Sequence, residues 1–126
     1  MFKKKFFNSY AIDKLLILAL FFLSLLINQY YGNRGVFPID TFLHFDTGYR
    51  VLNGEHPVKD YWVVSGIFLD YLQAIFFYIL GANWKSYVFH ASLFNGLLTI
   101  TTYIVLRNFN LEKKYSFLYS LSFSIL

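Results

Sequence analysis

The feature that most constrains this chain is a long apolar run placed directly behind a group of lysines. Residues Leu15 to Ile27 contain one polar side chain, Ser24. With the following four residues as an interfacial end, the segment reaches the length of about 20 residues that crosses a bilayer core of about 30 Å. A cleaved signal peptide is the alternative, but it needs small residues at its cleavage site, where this chain has Asn, Gln and Tyr. We therefore predict a transmembrane helix over residues 15–31.

The overall composition also indicates that the chain lies in a membrane. Hydrophobic residues make up 57% of the chain and charged residues 14%, against roughly 45–50% and about 25% in a typical soluble domain. A small soluble domain cannot bury that much apolar surface, so we expect membrane lipid as a partner. No basic stripe is interleaved with exposed aromatics, so no nucleic acid partner is expected. The chain has no cysteine, which excludes disulfides, thiolate metal sites and cysteine nucleophiles.

Residues 32–61 form the most polar stretch and contain both prolines. Apolar side chains recur there at helical spacing, at Phe42, Phe45, Tyr49 and Leu52. This pattern predicts a short amphipathic helix on the membrane surface. Asp46 is a candidate to cap the start of that helix, and Gly54 is a candidate to end it.

The second half of the chain contains three more apolar segments. Residues 84–106 predict a second transmembrane helix, because Ser92, Asn95, Thr99 and Thr102 share one face suited to helix packing in lipid. Residues 62–80 are long enough to span, but they place Asp70 on a polar face, and a carboxylate in mid-bilayer is unfavourable. Residues 107–114 form a basic turn, and the apolar run 115–126 stops within a span. We expect a truncated helix there, and a fragment of a larger protein.

The positive charges predict a topology. Lysines near the N-terminus and the basic residues of 107–114 should both face the cytoplasm, which requires an even number of crossings between them. The spans 15–31 and 84–106 supply two. Residues 62–80 are then a juxtamembrane helix on the outer side, with a tilted full span as the competing interpretation. The expected fold is all-α, one polytopic bundle of transmembrane helices with juxtamembrane amphipathic helices in the first outer loop, in the plasma (inner) membrane.

Reactive side chains concentrate in that outer loop. Asp46, Tyr49 and Arg50 stand at positions i, i+3 and i+4, so a helix brings them to one side. Asp46 is a candidate general base, and Arg50 with Lys59 suits a lipid phosphate at the bilayer surface. The simpler interpretation is that Asp46 is an N-cap and that the two cations touch lipid head groups.

Other ionisable residues give weaker signals. His44 and His56 do not have the spacing of a helical metal pair, so no metal site is predicted from the residues. His90 lies within a predicted span, where an ionisable group is a functional candidate, but it is also close enough to the helix start to be interfacial. Asp70 is a candidate partner for Lys59. The sequence contains no glycine-rich phosphate loop, GxSxG or HExxH motif.

The order of these segments resembles the start of a GT-C type membrane glycosyltransferase. The residues that carry the resemblance are Phe45-Asp46-Thr47-Gly48-Tyr49-Arg50, then Asn53-Gly54-Glu55-His56-Pro57-Val58-Lys59-Asp60-Tyr61, then Ile79-Leu80-Gly81. The similarity is to bacterial relatives of the protein mannosyltransferases and of the lipid A aminoarabinose transferase, and it covers most of residues 15–126 as a pattern.

The resemblance implies a sugar donor on polyprenyl phosphate and an extracytoplasmic acceptor. It gives the acidic role of the first outer loop to Asp46, with Asp40 as the alternate, and phosphate contact to Arg50 and Lys59. No cofactor is predicted, although the family leaves a divalent metal open at the acidic residue. The alternative function is that of a non-enzymatic polytopic protein, a transporter part or an assembly subunit, with its functional groups at Asp70, His90 and Asn95.

Overall fold

The computed structural model describes residues 2–35, 38–63 and 66–125. Within these ranges the chain forms five α-helices and no β-strand, which confirms the all-α class for the described part. The helices are α1 Phe2–Gly32, α2 Pro38–Leu52, α3 Ile67–Leu80, α4 Trp84–Asn108 and α5 Lys113–Phe123. The segment predicted over 15–31 is thus the larger part of a helix that begins close to the N-terminus.

Two of the described helices are long and apolar enough to cross a membrane, Ala11–Gly32 within α1 and Trp84–Asn108. The first has 22 residues, which at 1.5 Å per residue is about 33 Å and matches a bilayer core of about 30 Å. Only 11% of its most apolar window is buried, and 33% in α4. Since a soluble core helix would be mostly buried, the exposed apolar surface favours a membrane protein.

The chain divides into two compact units, and the first unit consists of residues up to Tyr30 together with those from Ser92 onward. Hydrogen bonds join α1 to α4 there. Gln29 donates to the hydroxyl of Ser92 at 3.1 Å, and Thr99 donates to the hydroxyl of Ser24 at 3.2 Å. Because the residue numbers fall along α1 as they rise along α4, the two helices run antiparallel in this unit. The predicted polar face of α4 therefore contacts protein at Ser92 and Thr99.

The first unit also contains a charged cluster around Asp13. Its carboxylate accepts a hydrogen bond from the Tyr103 hydroxyl at 2.7 Å and lies 2.8 Å from Lys113 Nζ and 3.5 Å from Arg107 Nε. The cluster joins the early part of α1 to the end of α4 and the start of α5. Two cations of the predicted basic turn are therefore paired with an acid that the charge pattern alone did not single out.

The second unit, Tyr31–Ala91, contains α2 and α3 packed on each other. The contact is close because Gly48 has no side chain: a Cβ built on it would lie 2.8 Å from the Cβ of Gln73. Phe45 of α2 lies against Phe77 of α3, with ring centroids 4.8 Å apart. The buried face of α3 consists of Asp70, Gln73, Ala74 and Phe77. The glycine thus lets the polar face of α3 reach α2.

Helix α3 is shorter than the apolar segment 62–80. It has 14 residues, about 21 Å at 1.5 Å per residue, against a hydrocarbon core of about 30 Å. Large apolar residues on its other face are exposed, among them Phe68 at 71% and Tyr78 at 82%. The helix alone is therefore too short to cross the core, and the juxtamembrane placement of residues 62–80 stays a prediction.

Candidate functional site

Asp46 lies in the second half of α2, because the helix begins at Pro38. The interpretation of Asp46 as an N-cap is therefore wrong. A proline at the first position of a helix has its φ already set and lacks only an N–H that would have no partner there. The backbone of α2 includes the alternate acid Asp40, but the Asp40 side chain lies outside the described residues.

Asp46 and Arg50 form an ion pair one helical turn apart. Arg50 Nε donates to Asp46 Oδ2 at 2.7 Å, and a second guanidinium nitrogen donates to Glu55 Oε2 at 3.1 Å. The hydrogen bond that Arg50 donates to Asp46, followed by the one that it donates to Glu55, raises the pKa of Arg50 above its ordinary high value. Side-chain exposure is 40% for Arg50 and 54% for Asp46, so both groups are open to a molecule at this surface. The structure thus brings two of the three predicted site residues into contact.

Lys59 lies on the segment that leaves α2, and we call residues 53–63 the connecting segment. Lys59 is exposed and lines an open depression of about 380 Å³. The other lining residues are Val58, Asp60, Tyr61, Trp62 and Val63. Arg50 reaches the same segment from α2, because its guanidinium carbon lies 5.8 Å from the centroid of the Tyr61 ring. Both candidate phosphate ligands therefore lie near Tyr61: Arg50 approaches its ring, and Lys59 lines the same depression.

The connecting segment has an unusual backbone at Val58, where φ is +73°. The left-handed region is unfavourable for an L-residue by roughly 1–2 kcal/mol, and a β-branched side chain there is rare. Three internal bonds hold the turn: His56 N donates to Asp60 Oδ2 at 2.8 Å, Asp60 N donates to His56 O at 2.9 Å, and Val58 N donates to Tyr61 O at 3.1 Å. Lys59 therefore follows a strained residue in a turn that depends on specific contacts.

Asp70 is buried, with 2% of its surface exposed. It accepts hydrogen bonds from the Thr47 hydroxyl at 2.7 Å and from the Tyr61 hydroxyl at 2.9 Å. The expectation that Asp70 pairs with Lys59 is therefore wrong: two neutral hydroxyls satisfy the carboxylate. Burial, and then the hydrogen bond to Asp70, raise the pKa of Tyr61, so this hydroxyl remains a donor at every physiological pH. Sequence reasoning missed this cluster, although the polar face of residues 66–73 was its signal.

The second unit contains another buried polar contact, between His90 of α4 and Gln73 of α3. His90 Nδ1 and Gln73 Oε1 are 2.5 Å apart, and the imidazole lies 4.7 Å from the centroid of the Phe76 ring. His90 is only 7% exposed, so it is packed against α3. An interfacial depth for this residue in the bilayer stays a prediction.

Metal ligands are not assembled in the part of the chain that the structure describes. No group of three or more His, Asp or Glu side chains lies close enough there to hold an ion. Of the two histidines in residues 32–61, His56 has its Nδ1 3.2 Å from the hydroxyl of Tyr71. The divalent metal that the resemblance leaves open stays a prediction.

Comparisons with protein-family models, with curated proteins and with solved structures find no match to this chain.

Proposed function

We propose that this chain is part of a multi-pass plasma-membrane glycosyltransferase of the GT-C type. It would transfer a sugar from a polyprenyl-phosphate donor to an extracytoplasmic acceptor. The observation that carries the proposal is the ion pair of Asp46 and Arg50 on one exposed turn of α2, with Nε and Oδ2 2.7 Å apart. In a chain that also has two membrane-length apolar helices, a carboxylate and a guanidinium suit a substrate whose phosphate lies at the bilayer surface.

The roles of the three residues follow from their chemistry. Asp46 is the proposed base that accepts a proton from the acceptor hydroxyl. A guanidinium has five N–H donors, and the ion pairs of Arg50 use two of them, so donors remain for phosphate oxygens. Lys59 would add a second positive charge from the depression beside Tyr61. Any divalent metal would belong with Asp46, where it would balance the charge of the phosphate.

The direction of insertion is a further part of the proposal. Helices α1 and α4 pack antiparallel, and Asp13 is bonded to Arg107 and Lys113. Both observations support a placement of the start of α1 and of the basic turn on the same side of the membrane. Lysine-rich ends favour the cytoplasm, which would leave α2 on the outer side. Labelling of a single cysteine at position 46 with a membrane-impermeant maleimide on whole cells tests this. Labelling only after the cells are opened would refute the orientation.

The catalytic proposal is tested with the full-length gene in membranes, by transfer from a polyprenyl-phosphate sugar. Asp46→Asn keeps the shape of the side chain and removes the base, so we expect a loss of transfer of about 100-fold or more. Glu112→Gln is the matched control, because Glu112 is an exposed carboxylate at the start of α5. Unchanged transfer in the Asp46→Asn protein would refute the catalytic role.

A second candidate is a non-enzymatic polytopic membrane protein, such as part of a transporter or an assembly subunit. The observation in its favour is the set of buried polar groups in the second unit, Asp70, Gln73 and His90, because polar residues of membrane proteins often line substrate or ion paths. In that case Gln73→Leu would abolish function in a growth assay, and Asp46→Asn would leave it intact.

A further inference from the structure

One buried carboxylate joins three parts of the second unit. Asp70 belongs to α3, its Oδ1 accepts from Thr47 of α2, and its Oδ2 accepts from Tyr61 of the connecting segment. Thr47 is 3% exposed and Asp70 is 2% exposed. Water therefore does not compete for the Thr47 bond, and a hydrogen bond to an ionised acceptor is among the stronger ones in proteins.

The start of the connecting segment is bonded to α2, because the backbone N–H groups of Asn53, Gly54 and Glu55 donate to carbonyl oxygens of that helix, and Pro57 is buried. Glu55 is bonded to Arg50 and His56 approaches Tyr71, and the structure gives all of these side chains considerable exposure. The bonds around Val58 lie within the segment and do not anchor it. Exposed contacts compete with water, so the part-buried bond from Tyr61 to Asp70 is the strongest attachment at the far end of the turn.

The Tyr61 ring also faces the candidate site. It lines the same depression as Lys59, and the guanidinium of Arg50 lies 5.8 Å from its centroid. A cation over an aromatic face is attracted by the ring. Fixing the Tyr61 hydroxyl therefore also fixes the surface that lies between Arg50 and Lys59.

We infer that Asp70 is a positioning residue that, through the hydroxyl of Tyr61, fixes the connecting segment and thereby places Lys59 relative to Arg50. Its carboxylate is shielded from solvent, so it acts through Tyr61. The fixing of the segment stands on the geometry alone, whereas its consequence for donor binding rests on the proposed function.

Trypsin cleavage after Lys59 measures whether the segment is held. The full chain is digested briefly in detergent micelles, and cleavage after Lys59 is compared by mass spectrometry with cleavage after Arg34, which serves as an internal reference. We expect Tyr61→Phe to accelerate cleavage after Lys59 by about tenfold, because the open state is the one that is cut. Tyr78→Phe is the matched control, since it removes a hydroxyl from an exposed residue of α3.

Asp70→Leu removes the acceptor of both hydroxyls, so it should accelerate cleavage after Lys59 at least as much as Tyr61→Phe. Adding Tyr61→Phe to Asp70→Leu should accelerate it no further, because Tyr61 acts through Asp70. Tyr61→Phe alone decides the question if Asp70→Leu does not fold. Cleavage after Lys59 at the parental rate overturns the inference. Equal acceleration of cleavage after Arg34 also overturns it, because it would mean that the whole protein is loosened. Additive effects of the two changes on the cleavage rate after Lys59 overturn it as well.

Donor kinetics separate this inference from the proposed function. If the segment positions Lys59 for the donor phosphate, Tyr61→Phe should raise KM for the polyprenyl-phosphate sugar about tenfold and leave kcat nearly unchanged. A fall in kcat with unchanged KM would overturn the placement of Lys59 for the donor. A parent without transfer activity would refute the proposed function, and the cleavage rates would still decide whether Asp70 fixes the segment.

Discussion

The hydrogen bond between Thr47 and Asp70 gives a quantitative prediction about what holds α2 to α3. Both side chains are buried, at 3% and 2% exposure, and the Oγ1–Oδ1 distance is 2.7 Å. Valine has nearly the shape of threonine but cannot donate. Thr47→Val therefore leaves one carboxylate oxygen of Asp70 without a donor, and removing a hydrogen bond to a charged group destabilises by about 1.5–3 kcal/mol. We expect a loss of about 2 kcal/mol in the free energy of unfolding.

Thr47→Ser is the control that separates the hydroxyl from the methyl group. Serine keeps the donor and loses one buried methyl, which corresponds to about 0.8 kcal/mol. Unfolding by SDS in mixed micelles, followed by the loss of helical circular dichroism, gives both free energies under one condition. The valine variant should be less stable than the serine variant by about 1 kcal/mol. A valine variant as stable as the serine variant would show that the hydroxyl does not hold the helices together.

Three further predictions concern other contacts. Burial, and then its hydrogen bond to a carboxylate, raise the pKa of Tyr61 above its ordinary value of 10.0. The folded state thus keeps a proton that the unfolded state loses, so stability should fall as the pH rises above about 10; Tyr61→Phe should flatten this fall in SDS unfolding at several pH values. Gly48→Val should destabilise the protein by about 2 kcal/mol in the same assay, because a Cβ there would lie 2.8 Å from a Cβ of α3. The control is Gly35→Ala: its added methyl meets open space, so stability should change by less than about 0.5 kcal/mol. Asp13→Asn should cost about 1 kcal/mol, and a smaller effect in a Lys113→Met background would show that the ion pair at 2.8 Å is the cause.

The parts of the fold that sequence predicted well are those set by local composition. The run from Leu15 to Ile27 has to form a helix in an apolar solvent, because only internal hydrogen bonds satisfy its backbone there, and α1 contains it whole. Helical spacing also predicted α2, but its start was misplaced. The cap predicted at Asp46 is wrong, and the residue type that indicates the start of α2 is Pro38, because proline is favoured at the first helical position.

The contacts of the candidate site were less predictable because they join residues that are distant in sequence. Asp46 and Arg50 could be paired from their i, i+4 spacing, and their ion pair is present. The partners of Asp70 could not be derived in this way. Thr47 is 23 positions away on another helix, and its contact requires the close approach that Gly48 allows. The roles of Asp46, Arg50 and Lys59 in catalysis and phosphate binding stay predictions.

The division of the chain into two units has a consequence for how it is made. The second unit is continuous from Tyr31 to Ala91, whereas the first needs residues from both ends of the chain. A ribosome releases the segments in order, so the middle of the chain is complete while α1 still lacks its later partners. Closing a gap of some 60 residues is slow compared with forming neighbouring contacts. The continuous unit should therefore assemble first during synthesis, with α1 waiting in the bilayer until α4 is translated.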